Sequence, residues 1–174
     1  MSVRFELDPA VTPDVRDGIC ALWADVSNAG GAVGFVPPVT PEDIRPDLVR
    51  RLAALAEGDE RLVAGRDAGG RVVATAFLAR NRHRLYTHWL WVYTVMVHPS
   101  LQGRGVGRAL MAAVADAART TGGAIGLRLT CRGGTGLSRF YASCGYREIG
   151  RAPRAIRLAD DDYRDDVTMW LDLD

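Results

Sequence analysis

Apolar and polar side chains alternate over residues 3–7, which predicts a half-buried strand. Thr12-Pro13 then supplies a helix cap with proline in the first turn. Val15, Ile19, Leu22, Trp23 and Val26 follow at helical spacing until Asn28-Ala29-Gly30-Gly31 ends the helix. Residues 30–39 are rich in Gly and Pro yet carry Val33, Phe35 and Val36, the composition of a loop that covers a ligand or a core edge. A second capped start at Thr40-Pro41-Glu42-Asp43 leads into an apolar face of Ile44, Leu48, Leu52 and Leu55. Pro46 predicts either a kink there or a later first turn. Residues 61–66 and 71–79 predict a hairpin around Asp67-Ala68-Gly69-Gly70. A run apolar on both faces, residues 86–97, has the character of a central strand and ends at His98-Pro99.

The second half repeats the strand and helix periods. Val106, Leu110, Met111, Val114 and Ala117 mark a helix that stops at Gly122-Gly123, and residues 124–131 alternate as a strand. A short helix over residues 137–144, a strand near 146–151 and a last strand at Val167, Met169 and Leu171 complete the series. Residues 152–164 lack either period and are expected to form an irregular loop. The succession predicts one α/β domain over residues 1–174, with a mixed central sheet of six to seven strands and about four helices.

Composition narrows the chemistry. The net charge of +1 gives no field for nucleic acid or a membrane surface, and neither is an expected partner. All 22 basic residues are arginine, which rules out a P-loop lysine, a Schiff-base lysine and a lysine base. Cys20, Cys131 and Cys144 are odd in number and lack metal spacing. With no apolar leader segment at the start, they favour a cytoplasmic protein with reduced thiols. His83, His88 and His98 suggest no metal, and Asp160-Asp161-Asp162 is expected to be a solvated run, so no metal cofactor is expected.

The strongest chemical feature is a strand entering a glycine-rich turn that opens a helix. Gly103, Gly105 and Gly107 leave backbone N–H groups bare, the helix start adds a positive dipole end, and Arg104 and Arg108 add charge. That is the build of a pyrophosphate cradle, and equally of a glycine turn that opens a helix for structural reasons alone. A dinucleotide fold would place the loop after the first strand and an acid about 20 residues on; residues 122–126 offer only Gly-Gly-Ala-Ile-Gly.

Residues 95–110, Val-Met-Val-His-Pro-Ser-Leu-Gln-Gly-Arg-Gly-Val-Gly-Arg-Ala-Leu, resemble the acetyl-CoA signature of the GNAT N-acetyltransferase superfamily, Gln/Arg-x-x-Gly-x-Gly/Ala. Residues 140–146, Phe-Tyr-Ala-Ser-Cys-Gly-Tyr, are similar to its second motif, Phe-Tyr-x-x-x-Gly-Phe/Tyr. The resemblance implies a cleft between two splayed parallel strands that takes acetyl-CoA as acyl donor. Val95, Met96 and Val97 would line the pantetheine arm, and Gln102, Gly103, Arg104, Gly105, Val106, Gly107 and Arg108 the pyrophosphate. Tyr141 would be the general acid for the departing thiolate, and a small-molecule amine the acceptor. Residues 30–35 are also similar to a segment of the tabtoxin-resistance branch. The family's frequent dimers leave a homodimer open.

Two positions depart from the family pattern. Many members place a glutamate base on the central strand where this chain has Trp91, and an asparagine seven residues before the tyrosine where it has Gly134. Trp89, Trp91 and Tyr93 share one face of the strand, which is either an acceptor wall or core. Phe35, Trp91, Tyr93 and Arg132 are the candidate acceptor contacts. A CoA-binding module without transferase activity, or a transferase for a longer acyl chain, are the competing expectations.

Overall fold

The computed structural model describes residues 3–173. Its seven strands form one mixed sheet in the order β1-β2-β3-β4-β5-β7-β6. They are β1 (Arg4–Leu7), β2 (Glu60–Arg66), β3 (Val72–Arg80), β4 (Trp89–Val97), β5 (Gly126–Arg132), β6 (Arg147–Ala159) and β7 (Asp162–Asp172). Four α-helices, α1 (Pro13–Asn28), α2 (Pro41–Ala56), α3 (Val106–Arg119) and α4 (Leu137–Ala142), pack on its two faces. Ile19, Leu22, Ile44 and Leu48 of α1 and α2 bury against Leu62, Phe77 and Met96. On the other face Leu110, Met111 and Val114 of α3 bury against Val73, Leu78, Leu90, Val92 and Leu127.

The predicted caps form. The Thr12 hydroxyl accepts from Val15 N–H at 3.3 Å. Thr40 and Asp43 close a reciprocal box, in which Asp43 accepts from Thr40 N–H at 2.8 Å while Asp43 N–H donates to the Thr40 hydroxyl. Pro46 neither starts nor ends α2, which runs through it, unbroken, to Ala56.

Two expectations change. The central strand starts at Trp89, not residue 86. The segment expected to be an irregular loop, residues 152–164, is instead a long hairpin arm: β6 continues to Ala159, and β7 returns from Asp162. Its register breaks between Ala152 and Ile156, where Arg154 has φ 54°, and nearly all of β6 is exposed. Strand pairing there is supplied by the neighbouring strand rather than by an apolar face, so no period-2 pattern announces it.

The feature that positions the site is the seam between β4 and β5. These strands pair in parallel only at Trp89↔Gly126, Leu90↔Leu127 and Trp91↔Arg128, and then part. On its other edge β4 bulges: Thr75 opposes Met96 and Phe77 opposes Tyr93, so Ala76 faces both Thr94 and Val95. Thr94 takes φ 52°, in the left-handed region. The extra residue inverts the side-chain alternation, so that Leu90 and Val92 before it, and Val97 after it, all face the α3 core.

Candidate active site

A cavity of about 420 Å³ opens where β4 and β5 diverge. Val92, Tyr93, Thr94 and Val95 of β4 and Leu129 and Thr130 of β5 line it. Trp23 of α1, Asp47 and Arg51 of α2 and Tyr141 of α4 complete the wall, with residues 32–35 of the intervening loop. That loop is fastened down. Trp23 Nε1 donates to the Val33 carbonyl at 2.8 Å, and the Trp23 and Phe35 rings meet edge to face at 5.7 Å. Asn28 clamps Val39 through both its backbone groups, at 2.8 and 2.9 Å.

Below the seam lies the glycine turn. A 3-10 turn over Pro99–Leu101 leads from β4 to residues 102–105, and Gly105, at φ 81°, caps α3 without a side-chain hydrogen bond. The first N–H groups of α3 therefore lack a capping acceptor, and the left-handed backbone at Gly103 (φ 71°) and Gly105 favours glycine. A Cβ at Gly107 would sit 3.2 Å from the Phe140 ring, so bare backbone there also lets α3 and α4 approach. Arg104 is exposed, while Arg108 donates to the Ser143 hydroxyl at 3.3 Å, tying α3 to α4. Gln102 turns inward and donates through Nε2 to the Val97 carbonyl at 3.0 Å. It braces the turn instead of standing free beside the anion site. His98 N–H donates to Val73 on β3, so by alternation Val97 and Val95 direct their backbone groups toward the parting β5, and Met96 is buried against α1 and α2.

Tyr141 is buried, 7% exposed, packed edge to face on Phe140 at 5.1 Å and Tyr146 at 5.8 Å, and it lines the cavity. Burial pushes its phenol well above the usual range, reinforced by the Cys131 and Cys144 thiols, so it holds its proton throughout the working pH range. Burial also pushes the Cys131 thiol up, to about 11, which favours the thiol over the nucleophilic thiolate.

The acceptor candidates separate. Phe35 and Tyr93 line the cavity. Trp91 does not: it stacks on Tyr93 (5.6 Å, 19° between planes), and the Arg128 guanidinium lies 4.7 Å from its ring centre. Arg132 lines a neighbouring pocket of about 220 Å³ that shares Ala32, Gly34, Phe35 and Thr130 with the main cavity. Thr94, Asp47 and Arg51 also line the cavity, and no sequence pattern marked them. Arg51 lies 4.8 Å above the Tyr93 ring, and its Nη1 donates to both oxygens of Glu60 at 3.0 and 3.2 Å. Burial pushes the Glu60 carboxyl up despite the opposing pull of Arg51, and it raises the Tyr93 phenol as well. Among the described residues no group of three or more His, Cys, Asp or Glu side chains is placed to hold a metal, and no helix is long and apolar enough to cross a membrane.

A family profile described as Acetyltransferase (GNAT) family matches residues 32–146, about two thirds of the chain. The chain belongs to the GNAT acetyltransferase family. It is an acyltransferase of that family, with acetyl-CoA as donor. Solved structures share the fold of this GNAT protein. An N-acetyltransferase from Staphylococcus aureus Mu50 superposes with TM-score 0.81 at 15% identity, over 100% of both chains. A structure assigned as a phosphinothricin N-acetyltransferase gives 0.79 at 19% identity, over 99% of both. A protein assigned as an acetyltransferase in Salmonella typhimurium, solved with its cofactor acetyl-CoA, gives 0.77 at 20% identity, over 100% of this chain and 94% of that one. No curated protein sequence matches the chain.

Proposed function

We propose that this GNAT enzyme, acting as one domain, moves the acetyl group of acetyl-CoA to the amine of a small molecule held in the 420 Å³ cavity. The observation that carries this is the junction of three features in one wall: the parting of β4 from β5 after Trp91, the bulge at Thr94, and Tyr141. Pantetheine enters between the parted strands, where Val95 and Val97 present backbone groups. The pyrophosphate rests on the N–H groups at the start of α3, with Arg104 and Arg108 beside it. The thioester then reaches the cavity from the donor side, and the amine reaches it from the α1–α2 side. The co-crystallised acetyl-CoA of the Salmonella typhimurium relative supports the donor.

The neutral amine attacks the thioester carbonyl, an N–C bond forms, and the C–S bond breaks. Tyr141 faces the departing sulfur. Its raised pKa makes complete transfer to a thiolate of ordinary pKa about 8.5 uphill, so its contribution is a hydrogen bond that grows as charge develops on sulfur. The proton lost by the amine leaves through water. Trp91 is no base, and among the described residues Asp47 supplies the one carboxylate of the cavity wall.

The test is Tyr141→Phe, assayed for thiol release over a panel of amines, with acetyl-CoA affinity by calorimetry. Retained affinity with turnover reduced at least about 100-fold supports the assignment. Unchanged turnover overturns the role of Tyr141. Acetyl-CoA binding without thiol release from any amine would favour a binding module, and faster release from longer acyl-CoAs a different acyl group.

A further inference from the structure

Asp47 and Arg51 stand four residues apart on α2, the spacing at which opposite charges on a helix ordinarily pair. Here they do not. Asp47 turns aside to Arg50, and Arg51 reaches back to Glu60 on β2, yet both line the cavity. Arg51 is held on three sides: Nη1 on both Glu60 oxygens, one face 4.8 Å from the Tyr93 ring, and Phe77 at 5.3 Å. Its Nε and Nη2 make no hydrogen bond among the described residues, and its side chain keeps 22% exposure. A guanidinium fixed in this way, with one edge of donors unused beside a cavity, fits an oxyanion that accepts two parallel hydrogen bonds.

The second cation of this region points the same way. Arg132, which lines the adjoining pocket, has Nε buried with no partner and forms no ion pair among the described residues. Asp47 is the opposing charge of the main cavity, and its partner Arg50 is 69% exposed, so that pair is open to exchange.

We infer that the acceptor is an amine bearing an acidic group, a carboxylate or a phosphonate, and that Arg51 selects it by binding that group. This rests on the transferase activity proposed above. Asp47 attracts the ammonium end, Arg51 takes the acidic end, and Arg132 attracts the anion from the adjoining pocket. Glu60 is the positioning residue that keeps the free edge of Arg51 turned to the cavity.

The experiment pairs each amine with an acid-bearing counterpart of matched skeleton: propylamine with 3-aminopropylphosphonate, butylamine with 4-aminobutyrate, and phenethylamine with phenylalanine. Thiol release from acetyl-CoA gives kcat/KM for each. The acid-bearing member is expected to be favoured at least 10-fold in one or more pairs, and the carboxylate and phosphonate pairs tell the two anions apart. Arg51→Gln should collapse that ratio toward one through KM. Arg51→Lys, which keeps a charge for Glu60 but loses the fork, should narrow it with the fold intact by circular dichroism. Equal or better use of the neutral amines overturns the inference, as does an unchanged ratio in both variants. If acetyl-CoA binds but no amine releases thiol, the transferase proposal fails instead. The anion site is then judged by titrating phenylphosphonate and benzoate into CoA-saturated protein and following tryptophan fluorescence. Binding weakened at least 10-fold by Arg51→Gln sustains the site, and no binding, or equal binding, removes it.

Discussion

The two sides of the cleft are built on different principles. On the side proposed for the donor the available groups belong to the backbone: a bulged strand, glycines at positive φ and the open N-terminus of α3 offer N–H groups, and Gln102 and Arg108 brace them. On the acceptor side the walls are side chains from four separate elements, among them Trp23, Phe35, Arg51 and Tyr93. A backbone site recognises a shape common to every CoA thioester and tolerates few substitutions. A side-chain site can be changed one residue at a time without disturbing the fold. The division explains why two sequence motifs mark the donor while the acceptor leaves its mark only in the assembled walls.

Variants at the meeting point and on either side should separate these behaviours. The largest effect is expected at Tyr141, where the sides meet: Tyr141→Phe should lower kcat about 100-fold or more while leaving the acetyl-CoA dissociation constant close to wild type. A fall in affinity instead would place Tyr141 in donor binding. Next, Gly105→Ala forces a side chain into left-handed backbone at about 1–2 kcal/mol. Acetyl-CoA binding measured by calorimetry should weaken about 10-fold, and the relative use of different acceptors should not move. If acceptor preference shifts, the two halves are more tightly joined than the geometry indicates. On the other side, Phe35→Ala should raise the acceptor KM several-fold, by about 1–2 kcal/mol, without changing acetyl-CoA affinity in the same titration.

The smallest effect concerns Glu60. Burial holds its carboxyl above the ordinary range, so the folded chain binds that proton more tightly than the unfolded one. The resulting stability is fully present below the unfolded pKa of about 4.3 and is lost as pH rises through the raised value. Glu60→Gln cannot ionise and escapes that loss. Its melting temperature relative to wild type should therefore improve as pH is raised from about 4 to 7. A variant whose melting temperature instead falls relative to wild type as pH rises would mean that the Arg51 pair outweighs burial. The acceptor KM of the same variant should rise, because Arg51 loses its tether.

Much of the fold was legible because its causes are local. The caps at Thr12 and Thr40, the Asp67 turn and the apolar stripe of α3 each follow from a few adjacent residues, and the structure forms all of them. The arm of β6 and β7 was not legible. Exposed Arg and Asp side chains pair across it, and their strand conformation comes from the partner strand, not from burial of one face. The bulge at Thr94 was hidden for a related reason: neighbouring strands impose positive φ on a residue that does not seek it. In the site, the glycine loop stood out only through its place after a central strand and the second motif at residues 140–146, since glycine turns open many helices for structural reasons alone. Trp91, singled out as an acceptor contact, stands outside the cavity, since strand alternation gives the face of a side chain but not how far it lies from an opening. Asp47 and Arg51 carried no signal, because opposite charges four apart on a helix are common and only their partners in the fold set these two apart.

The fastened α1–α2 loop has a thermodynamic consequence. Ordering a free segment costs about 1–2 kcal/mol per residue, so a mobile loop of this length would consume most of the affinity a small ligand can generate. Here Trp23, Phe35 and Asn28 settle that cost during folding. The acceptor therefore meets a preformed roof, and even a ligand of few atoms can reach useful occupancy.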